Sequence, residues 1–255
     1  MKLRTLIRGF GELFITLSIV MLLFVVFELY WTGVLAREAQ ADELSKLEKK
    51  TEQVQAKAAA TGTPAPVAPV VGQPAVETPA VPPPPPYEIG ETFAVMYIPR
   101  FGKDWDWTVL AGARTEILKK GLGWYEGSAA LGADGNFAVA GHRKTYGDPM
   151  LDFDKLKVGD KVILRDTMNW YVYTLDQPLV NAANNPGKAV YKTVPSDVGV
   201  VAALPESAYD KPGKYITLTT CEPKNGSTHR LIVWGHLESV QPLSAGEPAA
   251  LKGKK

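Results

Sequence analysis

Residues Leu13–Phe27 form an uncharged apolar run, LFITLSIVMLLFVVF, and the apolar character continues past Glu28 as LYWTGVLA to Ala36. A hydrocarbon core about 30 Å thick needs roughly 20 helical residues, so residues 13–36 read as a transmembrane signal anchor containing one acid. Lys2, Arg4 and Arg8 precede the run, and this positive flank keeps residues 1–12 cytoplasmic and exports the remainder. Tyr30 and Trp31 suit the outer interface. A cleaved signal peptide has a shorter apolar core and an A-x-A-like site, which Val34-Leu35-Ala36 matches poorly. A buried helix of a soluble domain fits less well, because the run is apolar all round and has a basic flank.

The pattern then changes twice before a folded domain begins. Arg37–Ala60 is charged and rich in Ala, Gln, Lys and Glu; it is either a solvated helix continuing from the membrane or disordered. Thr61–Pro86 is built from Ala, Pro, Val and Thr and ends in five prolines, Pro82–Pro86. Such a tract favours extended polyproline II, and residues 37–86 read as a linker whose proline part alone spans about 80 Å. An SH3-type ligand is the other reading of a proline tract. Residues 87–243 carry the pattern of one folded domain, and 244–255 read as a flexible tail of small and charged residues.

Inside that domain the periodicity is mostly that of strands. Apolar and β-branched runs lie at Thr92–Ile98, Thr108–Ala111, Phe137–Ala140, Lys161–Leu164, Tyr171–Leu175, Tyr215–Thr220 and Leu231–Val240, separated by turn signals such as Gly159-Asp160 and Pro212-Gly213. Short helical pieces are expected at Arg114–Lys120 and Met150–Leu156. Many short strands with few helices predict a mostly β fold, a barrel or a sandwich. There is no internal repeat and no phosphate-binding glycine loop after a strand.

Composition narrows the chemistry. With 28 Lys+Arg against 27 Asp+Glu in 255 residues, an electrostatic nucleic-acid binder is excluded. One Cys excludes an internal disulfide framework and any multi-Cys metal site. That residue, Cys221, ends the run Tyr215–Cys221 and is followed by Glu222-Pro223, which places the thiol at a strand terminus. It is either a buried inert thiol or a reactive one. His142 ends the run Phe137–Gly141 in the same manner, and a neighbouring imidazolium would stabilise a thiolate and later protonate a leaving amine. Arg230 lies nine residues after Cys221; a turn and an antiparallel return would set it beside the thiol, where a fixed cation can hold an oxyanion. On spacing alone, a solvated strand-edge charge is the better reading of it. His229 and His236 read as ordinary surface or strand histidines, and no ligand spacing such as HExxH supports a zinc site.

Thr217-Leu218-Thr219-Thr220-Cys221 with Arg230 downstream, Ala140-Gly141-His142-Arg143 upstream and Pro195-Ser196-Asp197-Val198-Gly199 between them resemble the sortases, membrane-anchored cysteine transpeptidases of Gram-positive bacteria. The resemblance covers Tyr87–Val240. Gly141-His142-Arg143 followed by Tyr146-Gly147-Asp148-Pro149, with the Gly121–Gly127 stretch, is most similar to class E, the actinobacterial housekeeping type. The loop Glu222–His229 departs from the pattern, with Asn225-Gly226-Ser227 where an aromatic residue is expected, and this bears on substrate details.

The resemblance implies an eight-stranded sortase-type β-barrel. It implies that Cys221 attacks the Thr–Gly bond of a C-terminal sorting motif, LPxTG-like and for class E LAxTG, in secreted proteins. An amine of the cell wall, such as lipid II or another peptidoglycan acceptor, would resolve the thioacyl enzyme. His142 would be the acid/base and Arg230 the substrate and oxyanion holder; Tyr125, Ala140, Thr217, Thr219 and Thr220 would line the groove. No cofactor is implied, and no calcium site of the kind some class A members use maps onto this sequence. Two rivals stand beside this reading. An L,D-transpeptidase lacks its Ser-x-Gly-Cys-x-Arg pattern here, and a binding module on a stalk predicts an inert Cys221.

Overall fold

Residues 2–61, 87–182 and 185–252 are described by the computed structural model. They form α1 (Lys2–Thr61), β1 (Thr92–Tyr97), β2 (Asp106–Ala111), α2 (Thr115–Leu118), β3 (Leu122–Trp124), β4 (Gly135–Ala140), β5 (Lys161–Arg165), β6 (Asn169–Leu175), α3 (Leu179–Ala182), β7 (Tyr191–Thr193), β8 (Lys214–Glu222), β9 (His229–Pro242) and α4 (Ala249–Lys252). The five-proline tract lies outside the described residues.

The strands run in the order β6-β5-β1-β2-β3-β4-β8-β9, and β6 pairs with β9 to close an eight-stranded barrel; β7 is added outside on β9. The pairs β2–β3 and β4–β8 are parallel and the others antiparallel. Closure depends on the length of β9, whose first part pairs with β8 and whose second part pairs with β6. The two ladders meet at Gly235, where a Cβ would lie 2.6 Å from the Thr174 carbonyl oxygen, so a side chain there would push the closing strands apart.

Inward-facing Phe93, Val109, Leu122, Phe137, Val139, Ile216, Leu218 and Val233 fill the barrel and are buried. Three covers shield its outer wall. Val200, Ala208, Ile232 and Trp234 form a second apolar cluster on β9, with Trp234 Nε1 donating to Val200 O at 3.0 Å. Leu251 of α4 packs with Ile163, Trp170 and Val172 on β5 and β6. The third cover is α1, which packs on β1 and β2. This explains why Phe93–Met96 is a continuous apolar run: it is covered on both faces.

The structure departs from the sequence expectations in four places. The strands β3 and β7 have three residues each, too few to register as alternation. The Met150–Leu156 piece is only a 3-10 turn at Phe153–Lys155. The tail is not loose through its described part, because Leu251 finds an apolar patch that exists only once β5 and β6 are assembled. Residues 37–61 are helical and continuous with the apolar run, and one face of that helix is buried on the barrel.

Candidate active site

The parallel ladder of β4 and β8 builds the site. Its register runs Ala138↔Thr217, Val139↔Leu218, Ala140↔Thr219. Two side-chain bonds carry the same register past the end of β4: Thr220 Oγ1 donates to Gly141 O at 2.8 Å, and Arg143 Nη1 donates to Glu222 Oε2 at 2.6 Å. Carried on in the same register, His142 falls level with Cys221, between these two bonds. Across the antiparallel ladder from Cys221 stands Arg230. The three residues thus stand at the same end of three adjacent strands.

Alternation decides which face they occupy. Ile216 and Leu218 point into the barrel, so Thr217, Thr219 and Cys221 face outward. Ala138 and Ala140 share that face beside them, and both are small, which leaves a shallow floor. From the far side of β4, Tyr125 reaches across this floor, its hydroxyl 2.8 Å from Thr219 Oγ1. Cys221 is half-buried and unpaired with any other cysteine, so its sulfur is not sealed in the core.

Burial and the nearby Lys119 cation hold the His142 imidazole below its ordinary value near 6.5, burial being the larger cause. Its ring lies against Tyr146, with centroids 5.1 Å apart. His142 Nε2 is buried and has no hydrogen-bond partner. A buried unpaired polar atom costs free energy in the resting protein. Arg230 Nη1 donates to Ser227 O at 2.9 Å and His229 O at 3.0 Å. Both bonds use one nitrogen, so Nε and Nη2 are left to receive an oxygen.

Two predicted groove residues take other positions. Thr217 is fully buried, its hydroxyl at 2.8 Å from Asn136 Oδ1 and 3.3 Å from Val200 O, because the β7–β8 connection covers that stretch of β8. Thr220 points to the opposite face from Cys221 and ties the segment that leads into His142. His229 and His236 are occupied elsewhere, the first by Thr228 at 3.0 Å and the second by Asp176 at 2.9 Å. Among the described residues there is no cluster of His, Cys, Asp or Glu able to hold a metal.

Sequence reasoning missed Arg143, which is 3% exposed and bridges Glu222 and Asp154, the latter from Nη2 at 2.8 Å. Its adjacency to His142 was visible, but its partners were not, since only the β4–β8 register brings them together. Behind this clamp, on the other face of the β8 terminus, lies a cleft of about 900 Å³. Lys155, Lys157, Lys188 and Lys224 line it with Arg143, against Asp154 and Glu222.

A closed eight-stranded barrel with Cys, His and Arg gathered on one rim defines the architecture of a cysteine transpeptidase of the sortase type. The chain belongs to the sortase family: the Sortase domain model matches residues 96–238. It is 32% identical to Sortase SrtE2 of Streptomyces coelicolor over 91% of this chain and 82% of the relative. It is also 32% identical to Sortase SrtE1 of the same organism over 96% of this chain, which spans only 60% of that relative's length. Among solved structures, sortase E from Streptomyces avermitilis is 54% identical, with a TM-score of 0.57 over 65% of this chain and 99% of that one. Sortase E1 from Streptomyces coelicolor, solved with a tripeptide in its active site, is 33% identical, with a TM-score of 0.56 over 64% of this chain and 97% of that one. These matches displace the L,D-transpeptidase reading.

Proposed function

We propose that the protein is a membrane-anchored transpeptidase that cleaves a C-terminal sorting motif, LAxTG or LPxTG-like, between Thr and Gly and joins the new carboxyl end to a cell-wall amine. The observation that carries this reading is the placement of His142 level with Cys221 between two register bonds, with Arg230 across the ladder.

In this mechanism Cys221 Sγ attacks the threonine carbonyl carbon while His142 takes the thiol proton. The carbonyl electrons move onto oxygen, and Arg230 stabilises that oxyanion through the nitrogens its loop leaves free. Collapse breaks the C–N bond, and His142 returns the proton to the departing glycine amine. The acceptor amine then attacks the thioester, gives its proton through His142, and releases the Cys221 sulfur. Tyr125, Thr219 and Ala140 form the wall and floor against which the motif lies. Thr217 closes one end of that floor under the β7–β8 connection, and Thr220 ties it from the opposite face.

The tripeptide bound in the active site of the Streptomyces coelicolor relative supports a peptide occupant for this groove. The acceptor is an amine bearing acidic groups, a reading that the excess of lysines in the neighbouring cleft supports. Lipid II or a related peptidoglycan precursor has that chemistry. The apolar Ile7–Phe27 stretch, long enough to cross a membrane, is a single-pass anchor in this reading. The basic residues before it place the N-terminus in the cytoplasm and the barrel outside.

The test uses the full chain in detergent with LAxTG and LPxTG peptides and an amine acceptor. Cleavage and an amine-joined product are expected, both lost by on the order of 10⁴-fold or more in Cys221→Ala. No product from either peptide, together with a thiol that resists alkylation at neutral pH, rejects the transpeptidase and favours a surface binding module.

A further inference from the structure

The anchor helix does not stop at the membrane. The helix runs unbroken from Lys2 to Thr61, and its apolar Ile7–Phe27 stretch is unburied by the rest of the chain. From Ala36 onward the same helix becomes part of the barrel. Ala36, Glu43, Leu47 and Thr51 recur at helical spacing and are 2%, 4%, 1% and 7% exposed. Polar bonds fix the seat: Gln40 Nε2 donates to Asp106 O at 2.6 Å, Thr92 Oγ1 donates to Glu43 Oε2 at 2.6 Å, and Lys50 pairs with Glu91.

The rise of a helix converts this into height. Ala36 stands nine residues, or about 14 Å, beyond Phe27. Trp31 lies between them, half-exposed and stacked on Phe27 at 5.9 Å, where an interfacial aromatic belongs. A headgroup layer is roughly 5–8 Å deep, so Ala36 stands only about 6–9 Å beyond its outer edge.

What meets Ala36 there is the loop that carries His142. A Cβ placed on Gly147 would lie 3.6 Å from Ala36 Cβ and 2.6 Å from Trp107. Thr145, Tyr146, Gly147 and Asp148 all have positive φ, so this segment is held in shape by what clamps it. The same rim presents Lys144, together with Lys119 set 5.8 Å from the centre of the Tyr146 ring. Aromatic and basic side chains are the groups that settle among lipid headgroups.

We propose that α1 is a rigid strut that seats the barrel on the outer bilayer surface with the rim from His142 to Pro149 facing the lipid headgroups. The partner of this surface is the membrane itself. The height of the active site is set by the helix. The sorting-motif groove then opens where membrane-retained substrates and lipid-linked amines diffuse in two dimensions. This inference rests on reading Ile7–Phe27 as a membrane span and is independent of the catalytic roles.

The test places the full chain in lipid nanodiscs containing headgroup-nitroxide lipid. In a Cys221→Ala background, Lys144→Cys or Glu247→Cys carries a fluorophore. Glu247 flanks the Glu48–Gln55 level of α1, about 18–29 Å above Ala36. Quenching is expected at 144 and not at 247. A seven-residue helical insertion after Gly33 lifts the rim by about 10 Å while turning the helix by only ~20°, and quenching at 144 is expected to be lost. Equal quenching at both sites, or quenching at 144 that survives the insertion, overturns the proposal. With Cys221 restored, the insertion variant is expected to cleave a soluble peptide as the native chain does and to lose transfer to a lipid-linked amine. If neither chain cleaves the peptide, the catalytic reading fails, while the quenching still decides the placement.

Discussion

His142 is the residue whose environment most shapes the chemistry. Burial first, and the Lys119 cation second, disfavour its imidazolium form, so at neutral pH the ring is neutral and able to accept the Cys221 proton. The acid limb of kcat/KM, which reports the free enzyme, is therefore expected below pH 6.5. Lys119→Met removes one of the two causes, and the limb is expected to move upward in a pH–rate profile; a limb that stays in place refutes the coupling. The same shift affects stability. Because the unfolded chain binds the proton more readily than the folded one, this group's contribution is intact above the ordinary imidazole value and is lost as pH falls from there toward the folded value. Tyr125 makes a different kind of contribution. Tyr125→Phe deletes the hydroxyl that meets Thr219, worth about 1 kcal/mol. A several-fold rise in peptide KM with kcat nearly unchanged is expected in steady-state kinetics.

At the scale of elements, the site depends on keeping the ends of β4 and β8 level. Arg143 does this from the face opposite to the thiol, binding Glu222 beside Cys221 and Asp154 in the following turn. Arg143→Met would leave a half-buried Glu222 carboxylate unpaired, at about 2 kcal/mol of stability. The expected result is a lower melting temperature together with a fall in kcat, and Arg143→Lys should recover stability more than rate because it cannot fork between two carboxylates. A rate unchanged by Arg143→Met would show that the two strand ends stay aligned without it. This element-level device was only partly legible. Gly141-His142-Arg143 and Thr217–Cys221 were visible as strand endings, and the opposition of Cys221 and Arg230 was expected from a turn and return. The parallel β4–β8 register was not, since its partners lie 79 residues apart and no local spacing encodes it.

For the whole molecule, the two faces of the β8 terminus divide the labour. In the proposed mechanism the outward floor of Ala140 and Thr219 takes the sorting motif, and the lysine-lined cleft on the other face draws in the acceptor. Replacing Lys157, Lys188 and Lys224 together by Glu reverses the sign of the cleft. KM for an acidic amine acceptor is expected to rise by on the order of tenfold, and the effect should weaken at high salt. Hydrolysis of the peptide in the absence of acceptor should be unchanged. A parallel loss of both would mean that the cleft shapes the sorting-motif groove instead.

The amino-acid sequence by itself determined the apolar helix, the mostly β domain after Tyr87, and the identity of Cys221, His142 and Arg230 as candidates. Each of these is written in a local pattern: a run long enough to span a bilayer, alternation along strands, and polar residues placed where apolar runs end. Tertiary structure alone decided the β4–β8 register that sets His142 level with Cys221, the Arg143 clamp, and the burial of Thr217 and of Leu251. It also decided that the charged helix after the apolar run covers the outer wall of the barrel. Among the described residues its buried stripe is Ala36, Glu43, Leu47 and Thr51, too polar to announce a partner. That stripe is buried because β1 and β2 offer an apolar face and matching hydrogen-bond groups at the right height, which exist only when the barrel has closed.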